Sequence, residues 1–299
     1  MSVNTEDRVI RKIHKPVVLL LTHLASLKFI VLSFYDRLYK AIHCYNKNGY
    51  FIKEMIDMQP HLLLNAHRFD NPLSSNLQTL LTSISTIKQI EKGAYIFHEG
   101  MDAHNVYMIK SGLVQISKLT SGGQELILRI CRKEDVIGEL TLFNDYPKYL
   151  LNAKVLESGE VFVIDKSQLE KMLIAQNNTE LTLEIMKWIS NHMRKFQLKI
   201  RDLLLNGKKG ALYSTLIRLA NSFGIERNDG ILINLTLTNQ ELANFCNTTR
   251  EYVNRMLSDL RKRHVISMSQ SGKILIKDIE YLRTENGCEG CPIEICNIN

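Results

Sequence analysis

Residues 237–276 read LTNQELANFCNTTREYVNRMLSDLRKRHVISMSQSGKILI, and this stretch decides the fold. Thr238 with Glu241 and Thr248 with Glu251 each match the T-x-x-E capping box, in which two side chains satisfy free backbone N–H groups at a helix start. The pattern therefore predicts two helices that begin about ten residues apart. That spacing is typical of a helix-turn-helix.

The end of the same stretch predicts a β-hairpin beside the two helices. Two short apolar runs, VISM at 265–268 and KILI at 273–276, are joined through Ser271 and Gly272. Serine and glycine suit the tight turn that such a hairpin needs. A hairpin in this place is the wing of a winged helix-turn-helix.

The second helix has one apolar face and one polar face. Its buried stripe is predicted to consist of Val253, Met256, Leu257 and Leu260. Arginine pairs with guanine and glutamate accepts from cytosine, so the polar face suits the reading of base edges in DNA. The candidate DNA-binding residues are Thr249, Arg250, Glu251, Asn254 and Arg255. The alternative is a surface helix that a Glu251–Arg255 pair stabilises.

The residues from Lys92 to about Ile164 have a different pattern. Short runs of β-branched and aromatic residues alternate there with turns, which predicts an all-β barrel or roll. The turn glycines are Gly100, Gly112, Gly122, Gly123 and Gly138. A short helix is expected around Gln168–Ala175. With the helices described above, the chain is assigned to the α+β class.

A third pattern, between the roll and the helix-turn-helix, predicts a long helix with a partner. Apolar residues recur at spacings of 3, 4, 3, 4 and 3, which is a heptad seam. The seam residues are Met186, Ile189, Met193, Phe196, Ile200 and Leu203. We expect this seam to form a homodimer, and packing against the chain's own β-roll is the alternative.

Composition and charge agree with a DNA-binding globular protein. Of the 299 residues, 45% are hydrophobic and 23% are charged, which is ordinary for a packed globular chain of two domains. The net charge of +7 makes an anionic partner such as nucleic acid plausible. No nucleophile–base pairing, HExxH motif or phosphate-binding loop is found, so an enzyme is not expected.

The N-terminal part contains an apolar run, Pro16–Phe34, that follows a basic stretch. Lys28 and His23 interrupt this run, so membrane insertion is not expected. Met55 and Met58 offer alternative translation starts, in which case the preceding residues would not belong to the working protein. The scattered cysteines outside the C-terminal tail indicate a reducing compartment, and we expect a cytoplasmic protein.

The order of β-roll, long helix and winged helix resembles the Crp/Fnr family of bacterial transcription regulators. The motifs that carry the resemblance are GELTLF at Gly138–Phe143 and TREYVNR at Thr249–Arg255. The resemblance implies a cyclic-nucleotide-binding-like jelly roll at the N-terminal side. It also implies that Arg250, Glu251 and Arg255 read palindromic TGTGA-type half-sites in double-stranded DNA. RNA polymerase is a further implied partner.

The resemblance to the cyclic-AMP receptor branch fails at two positions after GELTLF. Receptors of that branch hold the cyclic phosphate with an Arg-Ser pair, and this chain has Tyr149 and Leu150 there. Without the guanidinium, the bidentate pairing of the phosphate is lost. We therefore expect no response to cyclic AMP and a roll that acts as a scaffold, although another small molecule sensed in the roll stays an alternative.

The tail CEGCPIEIC, Cys288–Cys296, places three cysteines within nine residues. Thiolates are the ligands of iron–sulfur clusters, so the tail predicts a metal centre held by Cys288, Cys291 and Cys296. The tail resembles that of the Fnr proteins of Bacillus and its relatives, which carry this motif after the winged helix. That resemblance implies a [4Fe–4S] cluster, oxygen sensing, and control of anaerobic or nitrate-respiration genes.

A cluster with four irons needs a fourth ligand. The resemblance implies Asp202, which the heptad count places on the flank of the long helix, away from the seam. Cys246 is a weaker candidate, because its position between two helices suits a small buried residue. A structural zinc site with His264 or Asp202 as the fourth ligand is the alternative to a cluster.

These predictions divide the chain into five segments. The resemblance covers roughly residues 77–282. The predicted segments are an N-terminal extension at 1–60, a β-roll with flanking helices at 61–178, a dimerisation helix at 179–205, a winged helix-turn-helix at 206–283 and a cysteine-rich metal-binding tail at 284–299.

Overall fold

The computed structural model describes residues 73–145, 147–175 and 179–299. The chain divides into two compact units, 1–67 and 68–299, and everything described below belongs to the second. The predicted N-terminal extension at 1–60, with its apolar run, lies outside the described residues. In the described part of the chain, no helix is long and apolar enough to cross a membrane.

The first half of the unit is a β-roll with a helix on either side of it in sequence. Its strands pair antiparallel in the order β1-β6-β3-β4, while β2 pairs with β6 and β5 pairs with β3. This architecture confirms the predicted roll. The bounds are α1 Ser75–Ser83, β1 Ser85–Ile90, β2 Tyr95–Phe97, β3 Asn105–Leu119, β4 Glu125–Cys131, β5 Val136–Ile137, a 3-10 turn Glu139–Thr141, β6 Asn152–Asp165 and α2 Lys166–Ala175.

Two turn glycines are required by the backbone of the roll. Gly112 has φ +88°, and a Cβ there would lie 2.5 Å from the carbonyl oxygen of Glu157. Gly138 has φ +82° and starts the 3-10 turn that carries the GELTLF motif. A left-handed φ is costly for any residue with a Cβ, so both positions favour glycine.

The second half of the unit holds the winged helix-turn-helix. Its sheet has the order β7-β8-β10-β9, so the predicted wing is the edge of a four-stranded sheet. The wing and the two helices confirm the predicted fold, whereas α4, α7 and the β7–β8 hairpin were not predicted. The bounds are α3 Thr179–Leu204, α4 Gly207–Phe223, β7 Gly224–Arg227, β8 Gly230–Ile233, α5 Asn239–Phe245, α6 Arg250–Lys262, β9 Ile266–Met268, β10 Ile274–Ile276 and α7 Ile279–Glu285.

The helix starts were predicted correctly in one case and wrongly in the other. Thr238 and Glu241 form a complete capping box at the start of α5. At α6 the cap is Thr249, whose side chain accepts from the Tyr252 N–H group, and not Thr248. Thr248 is buried beneath the helix start, so its hydroxyl is not placed to cap, and the neighbouring threonine takes that role.

Helix α3 carries an exposed apolar stripe that differs from the predicted seam. The exposed members are Leu183, Met186, Met193, Phe196, Ile200 and Leu204. Ile189 and Leu203, which also belong to the predicted seam, are partly buried and pack against apolar cores of their own chain. The reason is that α3 is already covered on one side by its own roll and DNA-binding half, so the free stripe is rotated slightly from the ideal a/d line.

A buried ion group joins the roll to α3. Oε1 of Glu139 lies 2.9 Å from Arg129 Nη1 and 3.1 Å from His192 Nδ1. Burial alone would raise the pKa of Glu139, but Arg129 and the hydrogen bond from His192 hold that pKa at about 2. Burial lowers the pKa of His192, so its imidazole is neutral at pH 7 and donates from Nδ1 to the ionised carboxylate.

Strand β4 connects the roll directly to the DNA-binding half. Ile127 and Ile130 of β4 belong to the same buried apolar core as Leu212 and Leu216 of α4. The guanidinium of Arg132, just after β4, donates to the carbonyl oxygen of Ser222 at 2.6 Å. The two halves therefore share one core, which places the roll beside the C-terminal tail described next.

Candidate metal centre and DNA-binding surface

The end of α7 determines where the cysteine tail begins. The Gly287 N–H group donates to the carbonyl oxygen of Thr284, and the Cys288 N–H group donates to that of Arg283. Gly287 has φ +58°, so this is a Schellman motif with glycine in the left-handed position. The first predicted ligand, Cys288, is therefore the residue at which the chain leaves the helix.

A pair of asparagines fixes the position of Cys288 relative to the start of α4. Asn286 donates from Nδ2 to Cys288 Sγ at 3.9 Å, and its Oδ1 accepts from Asn206 Nδ2 at 3.1 Å. A Cβ at Gly210 would lie 2.7 Å from Asn286 Oδ1, so the absence of a side chain on α4 makes room for this contact. Asn286 is thus a residue close to the predicted centre that sequence reasoning missed.

Asp202, the predicted fourth ligand, is buried at the C-terminal end of α3, with 1% of its surface exposed. Its Oδ2 lies 2.7 Å from Arg218 Nη2, and its Oδ1 lies 3.1 Å from Arg201 Nη2. Arg201 also reaches the tail, since its Nη1 lies 3.0 Å from Glu289 Oε2. The carboxylate is therefore held between α4 and the tail.

The three thiols differ in exposure but share one electrostatic environment with Asp202. Cys288 is exposed, whereas Cys291 and Cys296 are partly buried. Burial raises the pKa of the Cys296 thiol; Arg218 lowers that pKa, while Cys291, Cys288 and Asp202 raise it. In the geometry, Arg201 bonds to Asp202 and to Glu289, and Arg218 bonds to Asp202 and to the Ile295 carbonyl oxygen, so Asp202 is linked to residues next to Cys288 and Cys296.

The four side chains do not converge on a point. Within residues 73–145, 147–175 and 179–299, no three Cys, His, Asp or Glu side chains are close enough to hold one metal ion. A structural zinc site needs its donors around a single ion. Thiolates are the ligand type that iron–sulfur clusters use, so it is the chemistry of the three tail thiols, and not their present arrangement, that fits a cluster.

Arg218 gives an independent indication that an anionic group fits beside Asp202. Arg218 has 4% of its surface exposed, and its Nη1 donates to the carbonyl oxygen of Ile295 at 3.3 Å. Its Nε has no hydrogen-bond partner in the part of the chain that the structure describes. A buried N–H group of a guanidinium that has no partner favours a nearby hydrogen-bond acceptor with negative charge. A centre held by three thiolates and a carboxylate would be such an acceptor.

Sequence reasoning did not single out Arg218, although one signal was present. Residues 216–220 read LIRLA, in which a single arginine interrupts an apolar run. An arginine is almost never fully buried without a partner, so this pattern predicts a buried ion pair. The identity of the partner, Asp202, is a tertiary fact.

The other candidate ligands were Cys246 and His264, and the chain has two further cysteines outside the tail, Cys131 and Cys44. Cys246 is buried and donates to Thr215 Oγ1 at 3.6 Å, and burial raises its pKa. Cys131 is fully buried in β4, where burial raises its pKa to about 12. His264 is exposed just beyond α6 with φ +60°. Cys44 lies outside the described residues.

The first two turns of α6 present most of the predicted DNA readers to solvent. Arg250, Glu251, Asn254 and Arg255 are exposed. Glu251 has a lowered pKa because it accepts hydrogen bonds from its own backbone N–H group and from Thr249. Thr249 is exposed but is engaged as the helix cap, so its hydroxyl is already partly used.

Two of these readers are held by neighbours. Asn239, the first residue of α5, donates from Nδ2 to Oδ1 of Asn254. The Arg255 guanidinium lies 5.1 Å from the centre of the Tyr252 ring, within cation–π distance. These two contacts limit the rotamers of side chains that face outward from α6.

Tyr149 occupies the interior of the roll. It is buried, its ring lies 3.9 Å from that of Phe97 in a stacked arrangement, and its hydroxyl donates to the carbonyl oxygen of Asn105 at 2.7 Å. The position at which cyclic-AMP receptors carry arginine is therefore part of the apolar core here. No cationic group replaces it at that position.

Comparisons with known proteins agree with this architecture. Residues 87–176 match the family model of the cyclic nucleotide-binding domain, and residues 211–285 match that of the Crp-like helix-turn-helix domain. The structure of FixK2 from Bradyrhizobium japonicum superposes with a TM-score of 0.59 at 20% identity, covering 68% of this chain and 98% of that one. At that identity the likeness shows the fold alone.

Two curated relatives are similar over nearly their whole length. The "Anaerobic regulatory protein" of Bacillus subtilis is 63% identical over 227 residues, which are 76% of this chain and 94% of the relative. The "Lactate racemization regulatory protein" of Lactiplantibacillus plantarum is 31% identical over 67% of this chain and 90% of the relative. Both relatives are named as regulators and not as enzymes, which confirms the expectation that this chain is not an enzyme. The chain belongs to the Crp/Fnr family of DNA-binding transcription regulators.

Proposed function

We propose that this regulator is an oxygen-responsive, Fnr-type switch in which Cys288, Cys291, Cys296 and Asp202 hold a [4Fe–4S] cluster. The observation that carries the proposal is that Asp202 is buried and that Arg201 and Arg218 link it to the tail, at Glu289 beside Cys288 and at Ile295 beside Cys296. A cluster bound there would supply an oxygen-labile group. The name of the Bacillus subtilis relative refers to anaerobic regulation, which is the response that such a group serves.

The protein's own residues tie the tail to the end of α3. Arg201 contacts both Asp202 and Glu289, and Arg218 contacts both Asp202 and the backbone at Ile295. Carboxylate is a harder and weaker ligand for iron than thiolate, so a centre with one carboxylate should be labile. Loss of this tie would release the tail and weaken DNA binding. The regulated genes would be those of anaerobic or nitrate respiration.

The DNA target and the partners are proposed from the family resemblance together with the exposed surfaces of α6 and α3. We propose that α6 enters the major groove and reads TGTGA-type half-sites with Arg250, Glu251 and Arg255, which the exposure of these side chains supports. The free stripe of α3 would pair two copies, so that the operator is a palindrome. RNA polymerase is the expected partner at promoters, and the cytoplasm, where bacterial DNA lies, is the expected compartment.

We propose that the roll acts as a scaffold and not as a receptor for cyclic AMP. Tyr149 and Phe97 fill its interior with stacked rings. The carboxylate of Glu139 is already paired with Arg129 and His192, so it is not free for a ligand. The signal would therefore enter through the tail.

The cluster is tested by purification without oxygen, followed by an absorption spectrum and by iron and sulfide assays. We expect a brown protein with about four irons per chain that bleaches in air. Asp202→Ala should fail to retain the cluster, whereas Asp229→Ala, which alters an exposed aspartate paired with Arg227, should retain it. A colourless protein with one zinc per chain would overturn the proposal and leave a Crp-like DNA binder with a structural metal tail.

The switch is tested by comparing the loaded and the metal-free protein on one palindromic operator at the same salt concentration. We expect the loaded form to bind more tightly, because the tie to α3 restrains the DNA-binding half. The salt must be matched, since phosphate contacts make any affinity salt-dependent. Equal affinities of the two forms would contradict the proposed switch.

Arg250→Ala should weaken binding to a site with guanine at the contacted pair by about 1–3 kcal/mol and relax the preference there. The physical reason is the loss of a bidentate pairing with the guanine O6 and N7 atoms. Arg261→Ala is the matched control, because Arg261 is an exposed arginine in the last turn of the same helix. If the binding free energy fell equally on all operator sequences, Arg250 would contact a DNA phosphate and not a base.

A further inference from the structure

The five residues Ile295–Asn299, here called the clamp segment, are packed into the molecule. Four of them have less than a tenth of their surface exposed, and the fifth, Cys296, is partly buried. Ile298 belongs to the apolar core that β4 of the roll shares with the DNA-binding half. The segment thus lies where the two halves meet.

One side of the clamp segment is bound to α4 of the DNA-binding half. Asn221 Nδ2 donates to the Cys296 carbonyl oxygen at 2.5 Å. Ser222 Oγ accepts from the Ile298 N–H group at 2.9 Å and donates to Asn299 Oδ1 at 3.1 Å. A single serine hydroxyl therefore satisfies two consecutive residues of the segment.

The other side of the clamp segment is bound to the roll and to α3. The Ile130 N–H group of β4 donates to the Ile298 carbonyl oxygen at 3.1 Å. Asn299 Nδ2 donates to Asp135 Oδ1, just before β5, at 3.2 Å. Lys195 Nζ, on α3, donates to the Asn299 backbone oxygen at 2.7 Å. Two residues of the segment therefore bridge all three parts of the molecule.

We propose that the clamp segment is a coupling device that transmits the state of the tail to the roll and to the dimer helix. Its hydrogen-bonding groups are buried, so each group that loses its partner destabilises the packing of the segment against α4, the roll and α3. Cys296 belongs both to this segment and to the predicted metal centre, so movement of that thiol moves the bridge. This link to the metal rests on the function proposed above, whereas the bridge itself does not.

The test is hydrogen exchange, read by mass spectrometry, in a β4 peptide that contains Ile130 and in the tail. Ser222→Ala should make both exchange about 10-fold faster, because the Ile298 N–H group loses its acceptor. Ser214→Ala is the matched control, because Ser214 is also buried on α4 but its hydroxyl donates to the Ala211 carbonyl oxygen of its own helix and not to the clamp segment. Lys195→Met, compared with Lys187→Met at an exposed position of α3, repeats the test without touching α4.

The two proposals can fail separately in this experiment. Iron-loaded wild-type protein should show the same increase in β4 exchange after air exposure, and protection that is unchanged although the iron is lost would overturn the coupling. If wild-type protein holds no iron, the proposed function fails. The bridge is still tested, because Ser222→Ala is compared with Ser214→Ala and Lys195→Met with Lys187→Met. Exchange in Ser222→Ala and Lys195→Met equal to that of their controls would overturn the bridge.

Discussion

Glu139→Gln is expected to lower the free energy of unfolding of the metal-free protein at pH 7 by about 3–5 kcal/mol. The change removes one partner of a buried pair and leaves the Arg129 guanidinium without its carboxylate. Urea denaturation followed by the fluorescence of Trp188 measures this, because Trp188 is the single tryptophan and its ring lies 5.0 Å from that of His192. Glu160→Gln is the control, since it alters a pair with Lys110 near the surface and should change stability little.

The pH dependence of that difference has a definite sign. The pKa of Glu139 is lowered from 4.5 to about 2 in the folded protein, so its contribution to stability is fully present above pH 4.5. As the pH falls from 4.5 towards 2, the carboxylate in the unfolded chain takes up a proton first and the contribution is lost. We therefore expect wild type and Glu139→Gln to converge over this range. A difference that stays constant down to pH 2 would contradict the assignment.

Phe196→Asp is expected to convert the protein to a monomer. Phe196 has 53% of its surface exposed in the centre of the free stripe of α3, and a carboxylate there cannot be buried without a partner. Affinity for a palindromic operator should fall about 100-fold or more, because each half-site would then be bound separately. Sedimentation equilibrium gives the mass, and operator titration at fixed salt gives the affinity.

Lys187→Asp is the matched control for the dimer experiment. Lys187 is also an exposed residue of α3, but it lies about 100° or more around the helix from Met186, Met193 and Phe196, away from the centre of the stripe. We expect this variant to remain dimeric and to bind the operator as wild type does. A Phe196→Asp protein that keeps its dimeric mass would show that another surface pairs the two copies.

Local patterns were sufficient to predict α5, α6 and the wing of the DNA-binding half. The capping box of Thr238 and Glu241 acts over three residues, and the buried stripe of α6 repeats at helical spacing. Such signals depend on neighbours in the chain, so a single sequence contains them completely. The choice between Thr248 and Thr249 as the cap of α6 was different, because both residue types suit the role and only the burial of Thr248 decides it.

The sequence by itself determined the cysteine spacing of the tail, the order of roll, long helix and winged helix, and the polar face of α6. The tertiary structure alone decided that Arg218 pairs with Asp202, that His192 meets Glu139, and that Ile298 bonds to Ile130 across 168 positions of the chain. The physical reason is that burial and ion pairing depend on which distant surfaces are packed together. Residue type and spacing limit those partners but do not choose among them.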